Sequence, residues 1–137
     1  MIQSACGRQL QQIIDEQGAE AFLQIENDVI AGLKTENTVI ATGGSVIFGP
    51  DAMKSLKDGG VTLYIELPLP EILRRLSNIK TRGIAMPRGT TIADIYRQRI
   101  PLYEKYADSI IPAQGLSLEE TVQAMVDEMA KKHLLEP

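Results

Sequence analysis

With 137 residues, one cysteine and no tryptophan, the sequence suits one domain able to bury roughly two thirds of its unfolded surface. A net charge of −4 argues against a protein that coats nucleic acid or an anionic membrane, since both need a basic surface. Cys6 has no second cysteine to pair with, no run approaches the ~20 apolar residues of a membrane span, and no signal-peptide pattern opens the chain, so a soluble cytoplasmic protein is expected.

Helices and strands alternate along the chain. Residues from about Arg8 to Gln17 carry Leu10, Ile13 and Ile14 at helical spacing, and Gly18 punctuates the run. A second amphipathic stretch aligns Phe22, Ile25, Val29 and Leu33 in one stripe, with Glu26 and Asp28 placed off it. Val39 to Thr42 reads as a buried strand that stops at Gly43-Gly44, the end at which open α/β sheets bind ligands. A short helix is predicted over Asp51 to Lys57 and a strand over Val61 to Leu67, ended by Pro68 and Pro70.

The segment "PEILRRLSN" then has the first-turn Pro and Glu of a helix start. "IADIYRQRIPLYEKYAD" is a long helical pattern in which Pro101 predicts a bend or a division. "SIIPA" is a short last strand, and Ser117 with Glu120 forms a capping box opening the final helix, which closes on lysines. Strands separated by helices imply a parallel sheet with helices on its faces.

Half of the 14 basic residues fall between Arg74 and Arg99, against Asp94 alone as an acid. Snorkelling arginines on a solvated helix face would account for this. The same window also holds "TRGIAMPRGTT", an irregular Arg-bearing loop suited to closing over phosphates, because guanidinium groups bind them bidentately. The anion-binding reading is placed ahead. His133 near the C-terminus reads as a solvated residue, Cys6 as a passive small side chain, and Met125 and Met129 as core or groove fillers. No His/Cys/Asp grouping has metal-ligand spacing.

Four fragments in order carry a family resemblance: "GAEAFLQIE", "VIATGGSV", "NIKTRGI" and "RQRIPLYEKYAD". From near residue 8 to near residue 130 the chain resembles shikimate kinase, a small P-loop kinase that moves the γ-phosphate of ATP to a ring hydroxyl. The resemblance implies a three-layer α/β fold of the P-loop kinase type, a lid loop at about 79–91, ATP and Mg²⁺, a small-molecule acceptor, aromatic amino-acid biosynthesis, and a monomer at full length. It implies that Gly43 and Gly44 let backbone amides approach the acceptor and the transferred phosphate. Arg82 matches the lid arginine that stabilises phosphoryl transfer, and Arg99 matches an arginine that grips the acceptor carboxylate. Arg75 matches a nucleotide-side arginine, and Pro112 to Gly115, with Gln114, matches the segment around adenine. Pro101, Leu102 and Tyr103 are expected to pack, and Glu26 to orient an arginine.

Three departures qualify the resemblance. Leu23 stands where the family has its other carboxylate-gripping arginine, which puts the acceptor in doubt. Ser45 stands at the third glycine. Nowhere in the 137 residues is there G-x-x-x-x-G-K-[ST], the loop that cradles phosphates and holds Mg²⁺. The expectation is a domain truncated at its N-terminus, lacking its first two strands, one of which would lie between the strands at Val39 and Val61. Such a chain is expected to be marginal or self-associating, and inactive alone. Three functions stay open: a shikimate-kinase-type phosphotransferase, with shikimate or a related small hydroxylated acid as acceptor; a non-catalytic ligand-binding relative; and an interaction module whose open sheet edge is filled by a partner.

Overall fold

The computed structural model describes residues 10–77 and 89–132. Helix α1, Leu10–Ala31, is broken by Gly18 at φ 84° and ψ 165°, a left-handed position that favours glycine. The two-helix opening read from the sequence is therefore present, joined without a loop. A 3₁₀ turn spans Gly44–Phe48, and α2 follows over Pro50–Gly59 with its proline in the first turn. Strand β1 (Leu63–Glu66) leads into α3 (Leu69–Leu76). Helix α4 (Ile92–Tyr106), strand β2 (Ser109–Pro112) and α5 (Leu118–Lys131) complete the described order.

The strands pair in parallel, with Leu63 opposite Ser109 and Glu66 opposite Pro112. A helical crossover between parallel neighbours is the expected α/β arrangement. Both strand starts are fastened by Asp108, whose carboxylate accepts from the Thr62 amide at 2.8 Å and from Lys57 Nζ at 3.0 Å. Lys57 also donates to the Tyr106 carbonyl at 2.8 Å, so the end of α2 is tied to the same corner. The aspartate of "YAD" thus serves a structural purpose here.

Three sequence expectations need correction. Val39 to Thr42 is not a strand: the segment makes no ladder, and Val39 is 92% exposed. The described sheet is β1 with β2, and no described strand lies beside Val39 to supply ladder partners, so an apolar β-branched run remains exposed. The sheet described is accordingly a two-stranded parallel one rather than a broad central layer. Of the two outcomes expected at Pro101, a bend or a division, the division does not occur, since α4 runs unbroken through it. Leu102, Tyr103 and Tyr106, just past the proline, pack against the core and hold the last turn despite one missing amide donor.

The core gathers Ile30 of α1, Val46 and Ile47 of the 3₁₀ turn, and Ala52 and Met53 of α2. Helices α1 and α2 are further locked by Asn27, whose buried carbonyl oxygen accepts from the Ala52 amide at 3.0 Å. Gly49, the residue before α2, has no capping side chain of its own, so Asn27 serves as the cap from 25 residues away. Both capping boxes, Thr91 with Asp94 and Ser117 with Glu120, are formed. No helix among the described residues is long and apolar enough to cross a membrane.

Candidate functional site

The third correction concerns α1. Its buried face carries Phe22, Glu26, Asn27 and Ile30, so Glu26 lies inside rather than off the apolar stripe. A carboxylate at 5% exposure requires compensation, and it comes from residues distant in sequence. The Ser45 hydroxyl donates to Glu26 Oε1 at 2.6 Å, and the positive charge of Arg99 lies near enough to act on the carboxyl. Burial pushes the Glu26 carboxyl above the usual carboxylate range, while the Ser45 hydrogen bond and the Arg99 charge pull it back.

The glycine turn faces this carboxylate. A Cβ on Gly43 would meet Glu26 Oε2 at 3.5 Å, an ordinary contact. Gly44 is different, because a Cβ there would stand 2.6 Å from the Tyr103 hydroxyl and 2.7 Å from Arg99 Nη1. Space, not backbone angle, favours glycine at position 44, since a side chain there would have to displace the ends of Tyr103 and Arg99. The Tyr103 hydroxyl donates to the Gly44 carbonyl at 2.8 Å, and its ring stacks on Tyr64 with centroids 5.0 Å apart. The strand β1, the turn and α4 are thereby joined at one point.

Arg99 completes the cluster and is its least satisfied member. Its guanidinium carbon sits 5.7 Å from the Phe48 ring centroid, a cation–π approach. Its Nε is buried without a hydrogen-bond partner, and among the described residues it forms no ion pair. A guanidinium held beside a glycine turn with an unfilled donor is chemically suited to an anion.

Of the residues expected at a site, the structure brings Gly43, Gly44 and Arg99 together. Arg75 lies in the last turn of α3, where its Nε donates to Glu71 Oε1 at 2.8 Å. Gln114 is exposed in the turn between β2 and α5, beside Gly115 at φ 78°. Neither touches the Glu26–Ser45–Arg99 cluster by a described hydrogen bond, ion pair or ring contact. Arg82 lies outside the described residues, as do Cys6, His133 and all of the expected lid except Gly89 to Thr91. Asp94 caps α4, and Asp28 accepts from Gln24 on the surface. Sequence reasoning left Ser45 as either a hydrogen-bond donor near the site or a turn residue and took Tyr103 as packing, whereas Ser45 donates to Glu26 and Tyr103 to the Gly44 carbonyl. The serine at the third glycine position was the available signal for the first, and nothing in the sequence marked the second.

A parallel α/β unit with a half-buried guanidinium, unpaired among the described residues, against a glycine turn has the chemistry to receive a small anion. Comparison with known proteins identifies the family. The shikimate kinase family matches residues 1–130, and the chain belongs to that family. The shikimate kinase of Francisella philomiragia subsp. philomiragia is 28% identical over 138 residues, covering 98% of this chain and 78% of that protein. That of Francisella tularensis subsp. novicida is 27% identical over 139 residues, covering 98% and 79%. The family has the P-loop kinase α/β fold, with which the helices and parallel strands described here are compatible.

Proposed function

We propose that this chain carries the acceptor side of an ATP-dependent kinase that phosphorylates a hydroxyl of a small carboxylic acid, with shikimate as the first acceptor to test. The observation that carries the reading is Arg99, a half-buried arginine whose buried Nε has no acceptor, beside Gly44. In this reading Arg99 grips the acceptor carboxylate, while the Gly43 and Gly44 backbone lies against the acceptor. Arg82 stabilises the transferred phosphoryl group, and Arg75 and Gln114 serve the nucleotide.

ATP and Mg²⁺ come with the family. The loop that would cradle the phosphates and hold Mg²⁺ has no counterpart in the sequence. The 137 residues contain no G-x-x-x-x-G-K-[ST], and no three of His, Cys, Asp and Glu among the described residues gather as a metal site.

Leu23 favours a second acceptor within the same reading. It is half-buried one turn before Glu26, so an arginine there could reach both that carboxylate and an acid bound near Arg99. Its replacement by leucine favours an acid held by one guanidinium rather than two. Calorimetric titration with shikimate, paired with Leu23→Arg, tests both possibilities. Tighter shikimate binding in the variant, by roughly ten- to a hundredfold, is expected if position 23 sets the acceptor. Loss of heat on Arg99→Ala supports the site, and unchanged binding in that variant overturns it.

A further inference from the structure

Glu26 and Arg99 are opposite charges in one buried cluster, yet they do not form an ion pair within 4.0 Å. A buried carboxylate near a half-buried guanidinium with a buried, unfilled Nε gains by closing onto it, because attraction rises as the local dielectric falls. Glu26 is occupied instead. Its Oε1 takes the Ser45 hydroxyl at 2.6 Å, and its Oε2 lies on the side of Gly43, 3.5 Å from where a Cβ there would stand. The carboxylate is thus directed at the glycine turn, and Arg99 is left with a buried Nε that nothing satisfies.

We propose that Ser45 is a positioning residue: by donating to Glu26 it holds the carboxylate off Arg99 and keeps the guanidinium open for the anionic group of the acceptor. The last step rests on the function proposed above, whereas the tether itself does not. Leu23 gives the device its use. With no arginine one turn away on α1, Glu26 has Arg99 as its nearby cation, and an untethered Glu26 would compete directly with the ligand. Ser45 removes that competitor without adding charge.

The experiment uses the 137-residue chain with Ser45→Ala and Ser45→Gly, each of which removes the donor, and Ser45→Thr, which retains it. In the ligand-free protein, ¹⁵N NMR follows exchange of the Arg99 Nε proton and ¹³C NMR follows the Glu26 carboxyl. Both donor-less variants are expected to slow Arg99 Nε exchange by roughly tenfold as Glu26 closes onto it. Glu26→Gln combined with Ser45→Ala returns the exchange rate to that of the parent, and Ser45→Thr leaves it there. A merely structural serine would lower thermal stability without moving the Arg99 signal.

Unchanged Arg99 exchange in both Ser45→Ala and Ser45→Gly, folded by circular dichroism, overturns the proposal. Shikimate titration supplies the second arm, in which the donor-less variants bind roughly tenfold more weakly than the parent. If the parent binds no shikimate but Arg99 exchange slows as expected, the tether stands and the acceptor assignment falls. If the parent binds shikimate and Arg99 exchange is unmoved, the reverse holds.

Discussion

Two arginines of the basic window, Arg99 and Arg75, have opposite surroundings. Arg99 is recessed beside Gly44, with a ring face below it and no acceptor for its Nε. Arg75 is half-exposed on α3 and shares the Glu71 carboxylate with Arg74, whose Nη2 lies 2.6 Å from Glu71 Oε1. A cation already satisfied by a neighbour must give up that partner before it can bind a ligand, whereas an unsatisfied buried one has nothing to lose. Charge density along a sequence therefore does not locate an anion site. The partner inventory of each guanidinium does.

Substitutions at the recessed arginine and its turn should have the largest effects. Arg99→Ala is expected to lower shikimate affinity roughly ten- to a hundredfold, with Arg99→Lys intermediate because an ammonium cannot reproduce the planar fork. The same titration on Arg75→Ala should show no more than about a threefold change, since that residue is already spoken for by Glu71. Equal losses in the two variants would dissolve the contrast.

Gly44→Ala drives a methyl group into the Tyr103 hydroxyl and Arg99 Nη1, which costs on the order of 1–3 kcal/mol and should appear as a lowered urea midpoint. Gly43→Ala is the control. Its φ of −67° suits any residue and its Cβ meets no closer atom than 3.5 Å, so stability should stay within about 0.5 kcal/mol. Asn27→Ala removes the cap of α2 and is expected to cost about 1–2 kcal/mol, without changing shikimate affinity as Arg99→Ala does. A fall in affinity there matching that of Arg99→Ala would mean that the core and the site are not separable.

Much of the fold was legible from local chemistry. The glycine break in α1, the proline-bounded strand β1 and the Ser117–Glu120 box are decided by residues within a few positions of one another, and each is present. The site was legible only in part, because its decisive contacts are long-range. Glu26 read as an acid off the apolar stripe with an arginine to orient, and its burial was not legible since its hydroxyl donor lies 19 residues away and the nearby arginine on α4. The cap of α2 was invisible for the same reason, as Asn27 and Ala52 are 25 positions apart. Val39 to Thr42 failed in the other direction. Its composition is that of a strand, but a strand requires a neighbour to complete its hydrogen bonds, and no property of the four residues themselves can state whether one exists.

The comparison extends to the two glutamates, whose pH dependence should run in opposite directions. Arg74 and Arg75 hydrogen bonds hold the Glu71 carboxyl down at about 2, below an ordinary value of 4.5. Its stabilising contribution is complete above pH 4.5 and is lost as pH falls from there towards 2. Glu26 is raised by burial, so its charged form is the penalised one. The stability it retains below pH 4.5 is lost as pH rises through its elevated value. Urea midpoints measured across this range should therefore separate the pair. Glu71→Gln flattens the limb below pH 4.5, most visibly at low salt because those charges are exposed to screening. Glu26→Gln flattens the slope just above pH 4.5 and is insensitive to salt. An acid limb unchanged by Glu71→Gln would mean that the α3 arginines are not held by that carboxylate in solution, and that Arg75 is as open to a ligand as Arg99.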